Sequence, residues 1–131
     1  MYIEPKETGK LGEEIAENYL KGKGYKILNR NYQFKIPKNP KIGEIDIVAR
    51  KGDTISFIEV KTLRSFNTFI SPEEKVDFKK GRNLIKTAEY WLTKNKIPLN
   101  SKWQIDVISV RIKKGKAKIS HFENAISASR F

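Results

Sequence analysis

Gly43-Glu44-Ile45-Asp46-Ile47-Val48-Ala49-Arg50, then Lys51-Gly52-Asp53-Thr54, then Ile55-Ser56-Phe57-Ile58-Glu59-Val60-Lys61-Thr62 is the stretch that decides the fold. Two arms rich in Ile, Val and Phe flank a polar turn that contains glycine, which is the pattern of a β-hairpin. The charges are oddly placed for an ordinary hairpin. Asp46 sits between Ile45 and Ile47, and Glu59 sits between Ile58 and Val60.

Register turns this into a geometric expectation. A loop of Gly52-Asp53, or a longer one from Lys51 to Thr54, sets Asp46 directly opposite Glu59 on one face of the sheet. Cβ atoms of such a pair lie roughly 5 Å apart, where like charges repel. A loop of intermediate length sends the two carboxylates to opposite faces unless a bulge restores them. Lys61 follows Glu59 on the same face, about 6–7 Å further along the strand. Two facing carboxylates beside a lysine suit a hard divalent cation, because Mg²⁺ takes oxygen ligands, commonly one or two carboxylates plus phosphate and water. The plainer reading is a solvated charged face on which Lys61 is an ion-pair partner. These residues alone do not choose between the two.

Composition narrows the choice. The chain has 131 residues, enough for one hydrophobic core, and the expectation is a single domain over 1–131. Its 27 Lys+Arg against 15 Asp+Glu give a net charge of +12, which favours a polyanionic partner, nucleic acid first. No segment approaches the length of a membrane-crossing helix, and the opening residues lack the apolar run of a secretory signal, so a cytoplasmic location and no membrane partner are expected. With no cysteine there is neither a disulfide framework nor a thiolate site, and one histidine excludes a multi-histidine zinc site.

Along the chain, Gly9 to Lys21 reads as a helix with Leu11, Ile15, Ala16, Tyr19 and Leu20 on one side. Glu13 lies at the edge of that stripe, while Glu14 and Asn18 point away from it. An acid in a first helical turn is welcomed by the helix dipole, the plain explanation of Glu13. Tyr25 to Phe34 reads as a strand. Lys35 to Lys41, with two prolines and three lysines, reads as a basic loop. Leu63 to Ser71 reads as an irregular loop carrying Arg64, Phe66 and Phe69. Ser71-Pro72-Glu73-Glu74 is a helix start, with Ser71 as N-cap, and the helix runs to about Lys94. Leu84, Ile85, Ala88, Trp91 and Leu92 form its buried stripe, with Lys80 at the edge and Lys79, Arg82 and Lys86 turned outward. Trp103 to Ile112 reads as a strand, Lys116 to Phe122 as a weaker one, and Ala125 to Phe131 as a short tail. Asp106 and His121 are expected to be structural. Candidate phosphate contacts are Lys35, Lys38, Lys41, Arg64, Lys79, Lys80 and Arg82.

The order is helix, strand, charged hairpin, helix, strand, with a glutamate in the first helix, then Asp46, then Glu59-Val60-Lys61. This resembles the PD-(D/E)XK nuclease superfamily. Within it the closest resemblance is to the YraN-like predicted endonucleases, related in architecture to archaeal Holliday junction resolvases. Gly9-Lys10-Leu11-Gly12-Glu13, Gly24-Tyr25-Lys26-Ile27-Leu28, Gly43-Glu44-Ile45-Asp46, Phe57-Ile58-Glu59-Val60-Lys61-Thr62 and Ile105-Asp106-Val107-Ile108 carry it. The Pro- and Lys-rich stretch before Gly43 looks longer than the family's, and Gln104 stands where the family leads one to expect arginine.

The resemblance implies an α/β restriction-endonuclease-like core, a mixed central sheet with the charged hairpin flanked by helices. It further implies a metal-dependent endonuclease acting on DNA, selective for branched or otherwise structured substrates. Asp46 and Glu59 would hold Mg²⁺ or Mn²⁺ with the Val60 carbonyl, Lys61 would orient water or stabilise phosphate charge, and Glu13 would serve a second metal. Resolvase relatives suggest a homodimer. The alternative is a nucleic-acid-binding module that kept the fold without cleaving.

Overall fold

The computed structural model describes residues 5–36, 39–63 and 78–127, with side chains except at 5–6, 36, 39–42 and 78–79. Its elements are α1 (Pro5–Gly22), β1 (Lys26–Ile36), β2 (Asn39–Lys51), β3 (Thr54–Leu63), α2 (Phe78–Lys94), β4 (Trp103–Lys113) and β5 (Lys116–Ile126). The strands form one mixed sheet in the order β1-β2-β3-β4-β5. All neighbours are antiparallel except β3 and β4, which run parallel and are joined through α2. Parallel neighbours need such a crossover, because a tight turn can only reverse the chain. The result is an α/β fold in which two helices flank a mixed sheet, the arrangement of a restriction-endonuclease-like core.

The charged hairpin forms in the predicted register. Lys51 pairs with Thr54 across a Gly52-Asp53 loop, and the ladder continues to Ile47 opposite Ile58. Alternation along β3 then explains both layers of the core. Phe57 joins the cluster under α2, with Ile45, Val48, Leu84, Ala88, Trp91 and Leu92. Ile58 joins the cluster under α1, with Ala16, Leu20, Ile47, Ala49, Ile108 and Val110. Phe57 meets the rings of Trp91 and Trp103 edge-on at 5.6 and 5.8 Å, and the Trp91 indole N–H donates to Asn29 Oδ1 at 2.7 Å. Burying each large side chain of this kind contributes about 1.5–3 kcal/mol, so the hairpin is held from both sides.

Three sequence expectations are corrected here. The basic stretch from Lys35 to Lys41 is not all loop: Lys35 and Ile36 end β1, and Asn39, Pro40 and Lys41 begin β2. Proline is accepted because β2 pairs with β3 only from Ile47 onward, so the segment that holds Pro40 has a single neighbour. The weak last strand extends beyond Phe122 to Ile126, which pairs with Ile105 and is buried, so Ala125 and Ile126 are sheet rather than tail. Helix α1 starts at Pro5, earlier than Gly9. The expected helix start at Ser71 and the loop carrying Phe66 and Phe69 lie outside the described residues.

Two glycines set where the helices cross the sheet. A Cβ on Gly12 would collide with the Thr62 side chain, reaching its Cβ at 2.9 Å, so α1 passes directly over β3. A Cβ on Gly43 would collide with the Thr87 hydroxyl and come within 3.0 Å of the Asn83 carbonyl oxygen, so α2 passes directly over β2. Both crossings lie beside the end of the hairpin ladder, and together they frame the site.

Candidate active site

Strands β2 and β3 part company after Ile47 and Ile58. The next residues are Asp46 and Glu59, so both carboxylates stand where the sheet splits. Beyond the split β2 continues with β1 alone, through Ile45↔Tyr32, Glu44↔Gln33 and Gly43↔Phe34, while β3 continues with β4. The face alternation of β2 also slips here: Ile45 packs under α2, whereas Ile47 packs under α1. The Val60 N–H, deprived of a ladder partner on β2, donates to Asp46 Oδ2 at 2.7 Å. A strand residue directs its N–H and C=O toward the same neighbour, so the Val60 carbonyl is also aimed into the split.

The split opens on both sides of the sheet. On the α2 side lies a cavity of about 210 Å³ lined by Gly43, Glu44, Asp46, Glu59, Lys80, Asn83 and Leu84. On the α1 side lies one of about 240 Å³ lined by Lys10, Glu13, Glu14, Glu17, Arg30, Asn31, Asp46 and Ile47. Asp46 lines both. A water occupies about 30 Å³ in the liquid, so either cavity has room for a hydrated cation and a phosphate group.

Charge crowding is the main electrostatic feature. Burial, and then the nearby Glu59 carboxylate, push the Asp46 carboxyl up to about 8, against the opposing pull of the Val60 N–H and with Glu13 adding to the rise. Glu13 is raised as well, by burial first and then by Glu44 and Glu59. Two amines answer the acids. Lys61 Nζ lies 3.9 Å from Glu59 Oε1, and Lys80 Nζ lies closer, at 3.4 Å. Burial, then the neighbouring Lys80, lowers Lys61. For Lys80, burial opposes the charge but is outweighed by Lys61 and the Glu59 carboxylate, and the amine is raised.

The donor set fits a divalent cation. Asp46 and Glu59 stand side by side just past the end of the ladder, the Val60 carbonyl faces the same gap, and the crowding that raises the Asp46 carboxyl is what a cation would relieve. Hard oxygen donors in this number suit Mg²⁺ or Mn²⁺. Among the described residues no group of three or more His, Asp or Glu side chains stands ready as a metal cluster. The fit is therefore to a site completed by main chain, water and phosphate, with Glu13 further off on the α1 side.

The structure brings together Asp46, Glu59, Val60 and Lys61 from the hairpin, Glu13 from α1 and Lys80 from α2. Lys35 and Arg82 are exposed, on β1 and α2. Lys38 and Arg64, and the side chains of Lys41 and Lys79, lie outside the described residues. Sequence reasoning passed over Glu44 and Asn83, both lining the α2-side cavity. The signal for Glu44 was its spacing from Asp46, which in a regular strand puts the two on one face. The signal for Asn83 was its position one helical turn after Lys80.

Asp106 and His121 are structural, as expected. Asp106 is fully buried, accepts from the Asn124 N–H and the Gln104 amide at 2.9 Å each, and pairs with His121 Nε2 at 2.8 Å. Gln104, the departure from the family pattern, thus holds the Asp106 carboxylate. His121 Nδ1 in turn meets the Tyr19 hydroxyl at 3.2 Å, tying β5 to α1.

Known sequences resemble this chain over most of its length. A protein of Alkaliphilus oremlandii named as a UPF0102 protein is 43% identical over 122 residues, covering 92% of this chain and 97% of its own. Similar proteins of Syntrophomonas wolfei and Clostridioides difficile are each 44% identical over 120 residues and 92% of this chain, covering 97% and 96% of their own. The sequence pattern of the uncharacterised protein family UPF0102 matches residues 12–110, which run from the glycine of the α1 crossing through the split and into β4. The chain belongs to family UPF0102, the YraN-like family.

Proposed function

We propose that this protein is a metal-dependent endonuclease that hydrolyses phosphodiester bonds of DNA. The observation that carries the reading is the meeting of Asp46 and Glu59 just past the end of the hairpin ladder, in a cavity lined also by Lys80 and with Lys61 beside Glu59. A solvated charged face does not need buried carboxylates, yet Glu59 is 8% exposed. Burying acids that repel one another costs stability, and such costs are typical of functional sites.

Asp46, Glu59 and the Val60 carbonyl would hold Mg²⁺ or Mn²⁺, with Glu13 reaching a second ion from α1. Bound there, the cation supplies an activated water and offsets charge on the scissile phosphate. The chain's own residues do the rest. The Val60 N–H fixes the Asp46 carboxylate by taking one of its oxygens. Lys61 orients the attacking water or stabilises charge on the phosphate. Lys80 stands at Glu59 from the opposite wall and meets the phosphate as a second cation. The net charge of +12 draws the polyanion in, with an affinity that falls steeply as salt rises. Phosphate contacts carry no sequence information, so selection by DNA structure fits better than selection by sequence.

The second reading is a binding module without cleavage, which the net charge of +12 would serve equally well. A labelled panel of four-way junction, flap, duplex, single strand and RNA, incubated with Mg²⁺ or Mn²⁺ and with EDTA, separates the two. Metal-dependent products support the nuclease, and salt-sensitive binding without products supports the module.

A further inference from the structure

Helix α2 carries more than Lys80. Arg82, Lys86 and Tyr90 are all exposed and recur at successive i, i+4 steps, which places them in one column on the helix surface. At the end of that column the Tyr90 ring is stacked on Phe34 of β1, with centroids 4.3 Å apart and planes inclined by 24°. Tyr90 nonetheless remains 39% exposed. The pair adjoins the proposed site through the sheet as well as through the helix. Phe34 is the register partner of Gly43, and Gly43 lines the cavity that holds Asp46 and Glu59.

A large, half-exposed aromatic ring held flat by a second ring is not explained by core packing, since neither Phe34 nor Tyr90 belongs to the buried cluster beneath α2. It is well suited to stack on a planar ligand, because Phe34 restrains the ring before any ligand arrives and little freedom is left to lose. The surrounding charge selects which planar ligand. An exposed aromatic ring beside exposed cations of the same helix is the combination that binds unpaired nucleic acid, with phosphates along the cations and a base on the ring. In an intact duplex the base faces are covered by their neighbours, so this ring has no face to meet.

We propose that Tyr90, backed by Phe34, is a stacking platform for an unpaired base of the substrate strand. The inference rests on the reading of the Asp46–Glu59 cavity as the site of phosphodiester cleavage and adds a substrate class to it: DNA with single-stranded character beside the scissile phosphate. From Lys80 to Tyr90 the helix rises about 15 Å at 1.5 Å per residue. That equals about four nucleotides of stacked strand at 3.4 Å each, so the platform reads a base a few nucleotides from the cut.

The test is binding in EDTA, which leaves cleavage out of the readout. Fluorescence anisotropy with a labelled single strand and a blunt duplex of equal length compares the wild type with Tyr90→Ala, Tyr90→Leu and Tyr90→Phe. The platform predicts that Tyr90→Ala and Tyr90→Leu weaken single-strand binding about 5-fold or more, leave duplex binding unchanged, and that Tyr90→Phe binds like the wild type. Equal weakening on both ligands, no weakening on either, or loss in Tyr90→Phe would overturn it. Thermal melts confirm that the variants are folded, and Phe34→Leu, which removes the backing ring, gives an independent second route to the same selective loss. The two readings fail separately. A wild type that uses Tyr90 for single strands yet never cuts keeps the platform and loses the nuclease, whereas cutting with no Tyr90 selectivity does the reverse.

Discussion

The Asp46 carboxylate accepts the Val60 main-chain N–H at 2.7 Å, which ties the acid of β2 nearest the split to the middle residue of Glu59-Val60-Lys61. This bond forms because the ladder between β2 and β3 ends one step earlier. It aims Asp46 at the split and leaves a second carboxylate oxygen for another partner.

Asp46 therefore costs stability as pH rises. Its carboxyl is raised from 3.8 to about 8, so between those values the folded protein holds a proton that the unfolded chain has released. Stability from this group is complete below its ordinary value and is lost as pH rises toward 8. Asp46→Asn keeps an oxygen for the Val60 N–H and removes the charge. Without metal its melting temperature at pH 8 should exceed the wild type's by on the order of 5 °C, and the gap should close below pH 4. Thermal melts across that range check it; a wild type that gains stability relative to Asp46→Asn as pH rises would contradict the assignment.

Lys80 is expected to matter as much as Lys61. Its amine is the closer of the two to Glu59, and it comes from a different element. Under the nuclease reading, Lys61→Ala and Lys80→Ala should each slow cleavage on the order of 10²-fold, the typical cost of one lost charge-stabilising group. Single-turnover rates with saturating protein measure this. A Lys80→Ala variant that loses only affinity would reduce Lys80 to a phosphate contact.

The helix crossings should be intolerant of any side chain. At Gly43 the nearest obstacles are the Thr87 hydroxyl and the Asn83 main-chain oxygen, and at Gly12 they are all Thr62. Gly43→Ala and Gly12→Ala should each cost about 1–3 kcal/mol, the usual penalty of overpacking. Because β2 and β3 are displaced beside the split, the nuclease reading predicts that metal affinity falls along with stability. Urea midpoints and metal titrations of the same variants provide the two readouts.

The edge of the sheet depends on Asp106. Removing its carboxylate strands the Asn124 N–H, the Gln104 amide and the His121 ring, and each buried group left unpaired costs about 1–3 kcal/mol. Asp106→Ala should lose about 1–3 kcal/mol in denaturant unfolding, and under the nuclease reading the metal affinity of the remaining folded protein is unchanged. Loss of metal binding in the folded fraction would place Asp106 in the site instead.

How far the sequence foretold this follows from where each signal resides. The hairpin was readable because strand parity is local: once the turn is Gly52-Asp53, the ladder runs to Ile47 opposite Ile58 and brings Asp46 and Glu59 to its end. Glu13 was readable for the same reason, since helical periodicity alone sets it at the edge of the apolar stripe. Lys80 against Glu59 was not, because it depends on where α2 crosses β2, a tertiary fact recorded at Gly43 and Thr87. Pro40 in β2 was misread as loop because its neighbourless edge appears only after the strands are arranged. Ile126 was misread as tail because a partner on β4, Ile105, decides its state.

The most direct test of the nuclease reading is the rate at which wild type and Glu59→Gln cut their preferred substrate in Mg²⁺ or Mn²⁺, with EDTA as control. Gln keeps the shape of Glu59 and removes the charge that faces Asp46. Metal-dependent cutting by the wild type, reduced on the order of 10²-fold or more in Glu59→Gln, is the predicted result. Equal rates in the two proteins, or no cutting by a folded wild type that still binds DNA, would contradict it.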